Sequence, residues 1–146
     1  MKRLALILLA LAVFPFVSWR AAAQEQPLYR VIANPDNPAA EISRTEVSRF
    51  LLRKSMRWTD GTPAKPVDQG DGRAVREAFT REIHGRSVAS VRHYWQRQVF
   101  SGRGLPPPEV PGDEAVVEFV KKYPGGIGYV SRDVPLDGVK VLAITE

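Results

Sequence analysis

Pro66-Val67-Asp68-Gln69-Gly70-Asp71-Gly72-Arg73-Ala74-Val75-Arg76-Glu77-Ala78-Phe79 reads as the end of a strand, a glycine-bearing loop and the start of a helix. The strand begins near Ala64. The helix is predicted from about Arg73 to His84, with Val75, Ala78, Phe79 and Ile83 on its inner face. A helix entered directly from such a loop turns its free N–H groups, and the positive end of its dipole, toward the loop. That chemistry suits an anion, and Arg73 and Arg76 add charge to it. Asp68 and Asp71 oppose it, and Arg76 in the first turn could simply pair with them. Both readings of the loop stand at this point.

Outward from this segment the pattern stays mixed. Leu28 to Ala33 is a β-rich run, ended by the turn cluster Asn34-Pro35-Asp36-Asn37-Pro38. Ser43 with Glu46 forms a capping-box pattern, and Ile42 with Val47 a hydrophobic staple, opening a helix to about Lys54. On the C-terminal side, Gly85-Arg86 stops the central helix. Ser87 caps another to about Phe100, with Val88, Val91, Trp95 and Val99 at core spacing. A Gly/Pro-rich loop runs from Ser101 to Gly112. Asp113 to Tyr123 is a fourth helix, with Val116, Phe119, Val120 and Tyr123 aligned and Lys121 and Lys122 suiting its C-terminal dipole. Ile127–Val130 and Val139–Ile144 are the last strands. No repeat or linker interrupts the order, so one α/β domain is predicted. Its sheet should be mixed and mostly parallel, of four to five strands, flanked by helices.

The chain has 146 residues and begins with Met1-Lys2-Arg3, an apolar run from Leu4 to Val17, and Ala21-Ala22-Ala23 before Gln24. That is the order of a cleavable signal peptide, so residues 1–23 are expected to be removed and 24–146 to form the domain. The apolar run is shorter than a membrane span needs and is broken by Pro15. A periplasmic or secreted protein is expected, with no membrane insertion after cleavage. Lys2, Arg3 and Arg20 leave with the leader, which takes the net charge from +5 to about +2. No concentrated basic stripe remains, so nucleic acid is not an expected partner. There is no cysteine, so the core must hold the domain without disulfides.

Three segments carry a resemblance. Ile42 to Trp58, Pro66 to Phe79 and Tyr123-Pro-Gly-Gly-Ile-Gly-Tyr-Val130 are similar, in order and spacing, to segments of phosphate-type (PstS-like) ABC-transporter substrate-binding proteins. Val139-Lys-Val-Leu142 is similar to the strand that follows them. The resemblance runs from about residue 29 to the C-terminus and covers one lobe, the second in chain order, of a two-lobed type 2 periplasmic binding protein. It implies a non-enzymatic, solute-binding-like protein of the bacterial envelope, related to transport, with a small oxyanion such as phosphate as ligand. In the family an Arg and then Ser-Gly-Thr precede the helix and bind phosphate. Placed residue by residue, Gln69 stands at that Arg, Arg73 at the Ser, Ala74 at the Gly and Val75 at the Thr, while Gly72 and Arg76 keep the family's residues. The candidate anion site is therefore Gln69, Gly72, Arg73, Ala74 and Arg76, with two hydroxyls and one guanidinium lost.

Nothing else in the sequence points to catalysis. His84 and His93 lack metal-ligand spacing and read as exposed helix residues, so no metal and no cofactor are expected. Ser43 and Ser87 read as caps. No Gly-x-Ser-x-Gly elbow is present. Trp58, Trp95 and Tyr129 read as core. Two functions remain: weak oxyanion binding, with a homodimer or an envelope protein completing the half-open cleft, or an envelope interaction module that keeps the fold and has lost the ligand.

Overall fold

A computed structural model describes residues 26–146 of the protein; the expected leader and its cleavage point lie outside the described residues. The elements in chain order are β1 (Tyr29–Ala33), β2 (Glu41–Ser43), α1 (Arg44–Leu51), β3 (Lys65–Pro66), β4 (Asp68–Gln69), α2 (Ala74–His84), α3 (Val88–Phe100), β5 (Glu109–Val110), α4 (Asp113–Lys122), β6 (Gly126–Ser131), β7 (Lys140–Val141) and β8 (Ala143–Thr145).

A four-stranded mixed sheet, in the order β3-β6-β1-β7, forms the centre. β1 runs antiparallel to β6, with Val31 opposite Tyr129, and antiparallel to β7; β3 runs parallel to β6. Two small parallel pairs, β2·β8 and β4·β5, form separate two-stranded sheets. The pairing of β4 with β5 brings the Gly/Pro-rich segment back beside the loop before α2.

Side-chain alternation divides the core. Val31, Ile127 and Tyr129 join Phe50, Trp58, Val75 and Phe79 on the face covered by α1 and α2. Ile32 and Val130 meet Val67, Val116 and Val120 on the face covered by α4. On that second face β6 carries Gly128, where a Cβ would lie 2.7 Å from Val116 Cγ1 and 2.8 Å from Val67 Cγ1, so α4 packs directly onto the strand. Asn34, at the end of β1, donates to Val120 O and Lys121 O at 3.0 Å each and closes the last turn of α4.

The caps follow the sequence. Ser43 Oγ accepts from the Glu46 N–H and Ser87 Oγ from the Ser90 N–H, both at 3.2 Å. Gly85 ends α2 in the left-handed conformation at φ 62°. Several expectations change. The central sheet is mixed as expected but not mostly parallel, because β1 pairs antiparallel with both of its neighbours and only β3·β6 is parallel there. The runs expected as single strands at 64–68 and 139–144 each divide between two sheets, as β3 and β4 and as β7 and β8. α1 stops at Leu51 rather than Lys54, because the chain turns away through Arg53 at φ 51°. Of the four apolar residues expected to seat α3, only Val91 is buried; Val88 and Trp95 are half-buried and Val99 is 47% exposed. The spacing on α3 is that of an amphipathic helix, and much of its apolar face is left uncovered by the described residues. Trp58 is core as expected, its indole N–H donating to Gly125 O at 3.1 Å.

Candidate functional site

The loop between β4 and α2 is held from both ends. The Asp68 N–H donates to Pro108 O and the Gly70 N–H to Val110 O, which docks the loop on β5. Gly72 then turns the chain at φ 78°, a conformation that favours glycine, and Arg73 enters the helix in an extended conformation. Arg73 is the N-cap, yet it makes no side-chain capping bond, so no side chain caps the first-turn amides of α2. Ala74, the first helical residue, is exposed.

Arg76 is the centre of the arrangement. It is 4% exposed and points inward. Its Nη2 lies 3.4 Å from Asp68 Oδ2 and 3.0 Å from Glu109 Oε1, and its Nη1 lies 3.0 Å from Asp71 Oδ1 and also donates to Gln69 O. One guanidinium thus meets three carboxylates and a carbonyl. Arg92, from α3, pairs with Asp71 on the outside. Burial by itself would make the Arg76 guanidinium easier to deprotonate; the charges of Asp68 and Glu109 outweigh it and hold the group more firmly cationic than usual. For Asp68 the balance runs the other way. Burial raises its carboxyl above the ordinary value, despite Arg76, the Tyr129 hydroxyl that donates to it and the Gln69 N–H.

Gln69 is fully buried. Its Nε2 donates to Asp113 Oδ1 and to Tyr129 O, both at 2.9 Å, while its Oε1 finds no partner among the described residues. Asp113, at the start of α4, also accepts from the Ser131 N–H at 2.9 Å and Ser131 Oγ at 2.8 Å. Burial would raise Asp113, but the Ser131 N–H, Gln69, the Ser131 hydroxyl and Arg73 together hold its carboxyl below the usual range. Arg73 crosses to the same region: Nη1 donates to Pro111 O at 3.2 Å and Nη2 stands 3.7 Å from Asp113 Oδ2, with the guanidinium over Gly112. Tyr129 stacks on Phe79 at 3.7 Å between ring centres, which ties this polar layer to the core. Burial, reinforced by Asp68, pushes its phenol well above the ordinary value.

The five sequence-predicted residues are therefore adjacent but face different ways. Gly72 and Ala74 lie at the surface, Arg73 is half-exposed, and Gln69 and Arg76 point into the protein. Sequence reading placed Asp68 and Asp71 beside Arg76. It gave no sign of Glu109, Asp113, Tyr129 and Ser131, which reach the loop through strand pairing and helix packing. A second polar contact was also missed. His84, expected on the surface, is half-buried with Nδ1 2.8 Å from Ser48 Oγ, and its imidazole is held down to about 4 by burial and by Arg86 and Lys54. No carboxylate hydrogen-bonds the ring among the described residues. Nor does any group of three His, Cys, Asp or Glu there have the placement to hold a metal ion.

Neither a protein-family model nor a curated protein matches the sequence. Solved structures do match the fold. A protein from Clostridium perfringens, assigned as a phosphate ABC transporter substrate-binding protein and holding bound phosphate, superposes with a TM-score of 0.64 at 18% identity, over 80% of this chain and 44% of its own. An ABC-type phosphate transport receptor from Vibrio cholerae gives 0.62 at 12% identity, over 80% and 45%. PstS from Borrelia burgdorferi gives 0.56 at 12%, over 82% and 47%. This chain spans less than half the length of each. Its fold is that of a single lobe of such proteins. No helix among the described residues is long and apolar enough to cross a membrane.

Proposed function

We propose that this chain is an accessory interaction domain of the cell envelope, a solute-binding fold whose anion position is occupied by its own carboxylates. The observation that carries this reading is Arg76. In a phosphate site a guanidinium at this position would offer its donors to the ligand; here they are spent on Asp68, Asp71, Glu109 and Gln69 O. An incoming oxyanion would have to displace a buried ion pair and would meet three negative charges. Gln69, at the other basic position of the family pattern, offers no charge and lies inside. Placement in the envelope rests on the leader-like sequence, and the absence of turnover on the binding-protein fold. A partner protein, or a second copy, takes the place of a bound solute.

One observation favours weak oxyanion binding as a second reading: α2 begins without a capping side chain, and Arg73 is half-exposed beside it. Thermal unfolding with increasing phosphate or sulfate separates the two. A ligand at one hundred times its dissociation constant adds about 2.7 kcal/mol. For a domain of this size that is a rise of roughly 10 °C in Tm. The interaction reading predicts no saturable rise. A saturable rise that disappears in Arg73→Ala would establish the second reading in its place.

A further inference from the structure

The chain leaves α1 through Arg53, whose φ of 51° lies in the left-handed region. Glycine is the usual residue at that point of a helix end, because a side chain at positive φ is strained. A strained residue held in place by its surroundings is a frequent mark of a ligand clamp. Arg53 and Lys65 line one groove, of about 320 Å³. Its apolar wall comes from Met56, 47% exposed, and from Phe119 and Tyr123, whose ring centres lie 4.8 Å apart. Three prolines complete the lining, which includes no Asp or Glu. The prolines have no backbone N–H. Those of Arg53, Ala64 and Lys65 are already donated, to Phe50 O, Met56 O and Gly125 O, which leaves the two cationic side chains as the principal donors. Neither enters an ion pair among the described residues. Lys122 adds a third positive charge, its Nζ 5.3 Å from the centre of the Tyr123 ring. The carboxylates that adjoin lining residues in sequence, Glu109 and Glu118, are engaged by Arg76 and Lys121.

We propose that this groove binds a small carboxylate with an aromatic or branched apolar body, the body against Met56, Phe119 and Tyr123 and the carboxylate on Arg53 and Lys65. The site goes beyond the interaction reading above and does not depend on it. A guanidinium can meet a carboxylate through two parallel hydrogen bonds, and an ammonium adds a point charge. Phosphate or sulfate would use the cations and leave the apolar wall bare, so the wall sets the ligand class. The volume lies at the lower end of small-molecule sites, about 300–1,000 Å³, which is room for one such body and not for a polypeptide segment. Strand addition is blocked as well. β3 is an edge strand of the central sheet, its Lys65 N–H and the following Val67 N–H donate to β6, and the position facing outward between them is Pro66. A symmetric second copy on this face would bring Arg53 and Lys65 against their own equivalents.

Met1 and Met56 are the two methionines of the chain, so methyl-labelled methionine gives the groove its own NMR signal, assigned with Met56→Leu. Phenylacetate, titrated at constant ionic strength, should displace that signal saturably in the millimolar range or below. Phenylethanol, which lacks the charge, and acetate, which lacks the body, should not displace it over the same range. Affinity for phenylacetate should fall about tenfold in Arg53→Gly and several-fold in Lys65→Gln, through lost charge-assisted bonds, and should weaken with salt. Glycine suits the positive φ at position 53, and Lys65 is exposed, so both variants should unfold as cooperatively as the parent and misfolding is excluded as the cause. No saturable displacement by phenylacetate would overturn the proposal. So would equal displacement by phenylethanol, which marks an apolar patch alone, or by acetate, which marks surface charge alone. Affinity unchanged in both variants would place the carboxylate elsewhere and overturn it too. An acidic peptide carrying Leu or Phe that moves the Met56 signal where phenylacetate does not would replace the small carboxylate by a polypeptide.

Discussion

Replacing Arg76 by Met keeps most of the buried alkyl stem and removes the charge that faces Asp68, Asp71 and Glu109. Asp71 and Glu109 are about half-exposed and can turn to water, so each loses little, about 0–1 kcal/mol. Asp68 cannot: its side chain is 15% exposed and it would be left as a buried carboxylate with only Tyr129 and the Gln69 N–H to answer it. Breaking a buried pair from one side costs about 3–5 kcal/mol, and that is the loss expected at pH 7. Its pH dependence follows from the carboxyl. Asp68 is already raised in the folded protein, and losing Arg76 removes the strongest influence pulling it down. A raised acid contributes its stability below the unfolded value, near 4, and loses it as pH rises toward the folded value. The deficit of Arg76→Met should therefore shrink as pH falls from 7 toward 4. Asp68→Asn in the same chain should recover part of it at neutral pH. Urea unfolding of the parent, both single variants and the double variant at two pH values measures all of this. A deficit below about 1 kcal/mol, or one that does not shrink in acid, would refute the view that Arg76 is an internal counter-charge.

His84→Gln should flatten the acid limb of the stability profile. With a folded value near 4 against an ordinary 6.5, the imidazole contributes stability above pH 6.5 that is lost as pH falls toward 4, and denaturant titrations between those limits read the difference. Gly125→Ala should cost more than about 3 kcal/mol, because its Cβ would lie 1.8 Å from Pro63 O, a backbone atom with no room to give; far-UV dichroism and thermal melting check it. Ser131→Ala should cost about 1.5 kcal/mol at pH 7 through the lost bond to Asp113, and less as pH drops through the lowered Asp113 value, a comparison read from urea midpoints.

Much of the fold was legible because its signals are local. The cap at Ser43, the stop at Gly85 and the inner face Val75, Ala78, Phe79 and Ile83 each depend on residues a few positions apart, and each stands where the sequence places it. Short strands were harder. β5 is two residues within a proline-rich loop and is defined only by its pairing with β4. The same lesson explains the site. Asp68 and Asp71 are neighbours of Arg76 in sequence, so an internal pair could be weighed from the start. Glu109 and Asp113 arrive through that strand pairing and through α4, at separations no local pattern encodes. Periodicity also does not say what covers an apolar face. Val91, Trp95 and Val99 repeat at helical spacing whether the cover is this chain's own core or a partner, and the structure shows that only Val91 belongs to the core.

The central claim, that the loop from Gln69 to Arg76 is filled from within, is tested most directly at its own amides. Phosphate titrated into isotopically labelled protein at constant ionic strength, followed by amide resonances, should leave the N–H signals of Gly72, Ala74, Val75 and Arg76 without saturable displacement into the millimolar range. A saturable displacement of those four signals, lost in Arg73→Ala, would contradict the account and show the helix terminus to be a working anion site.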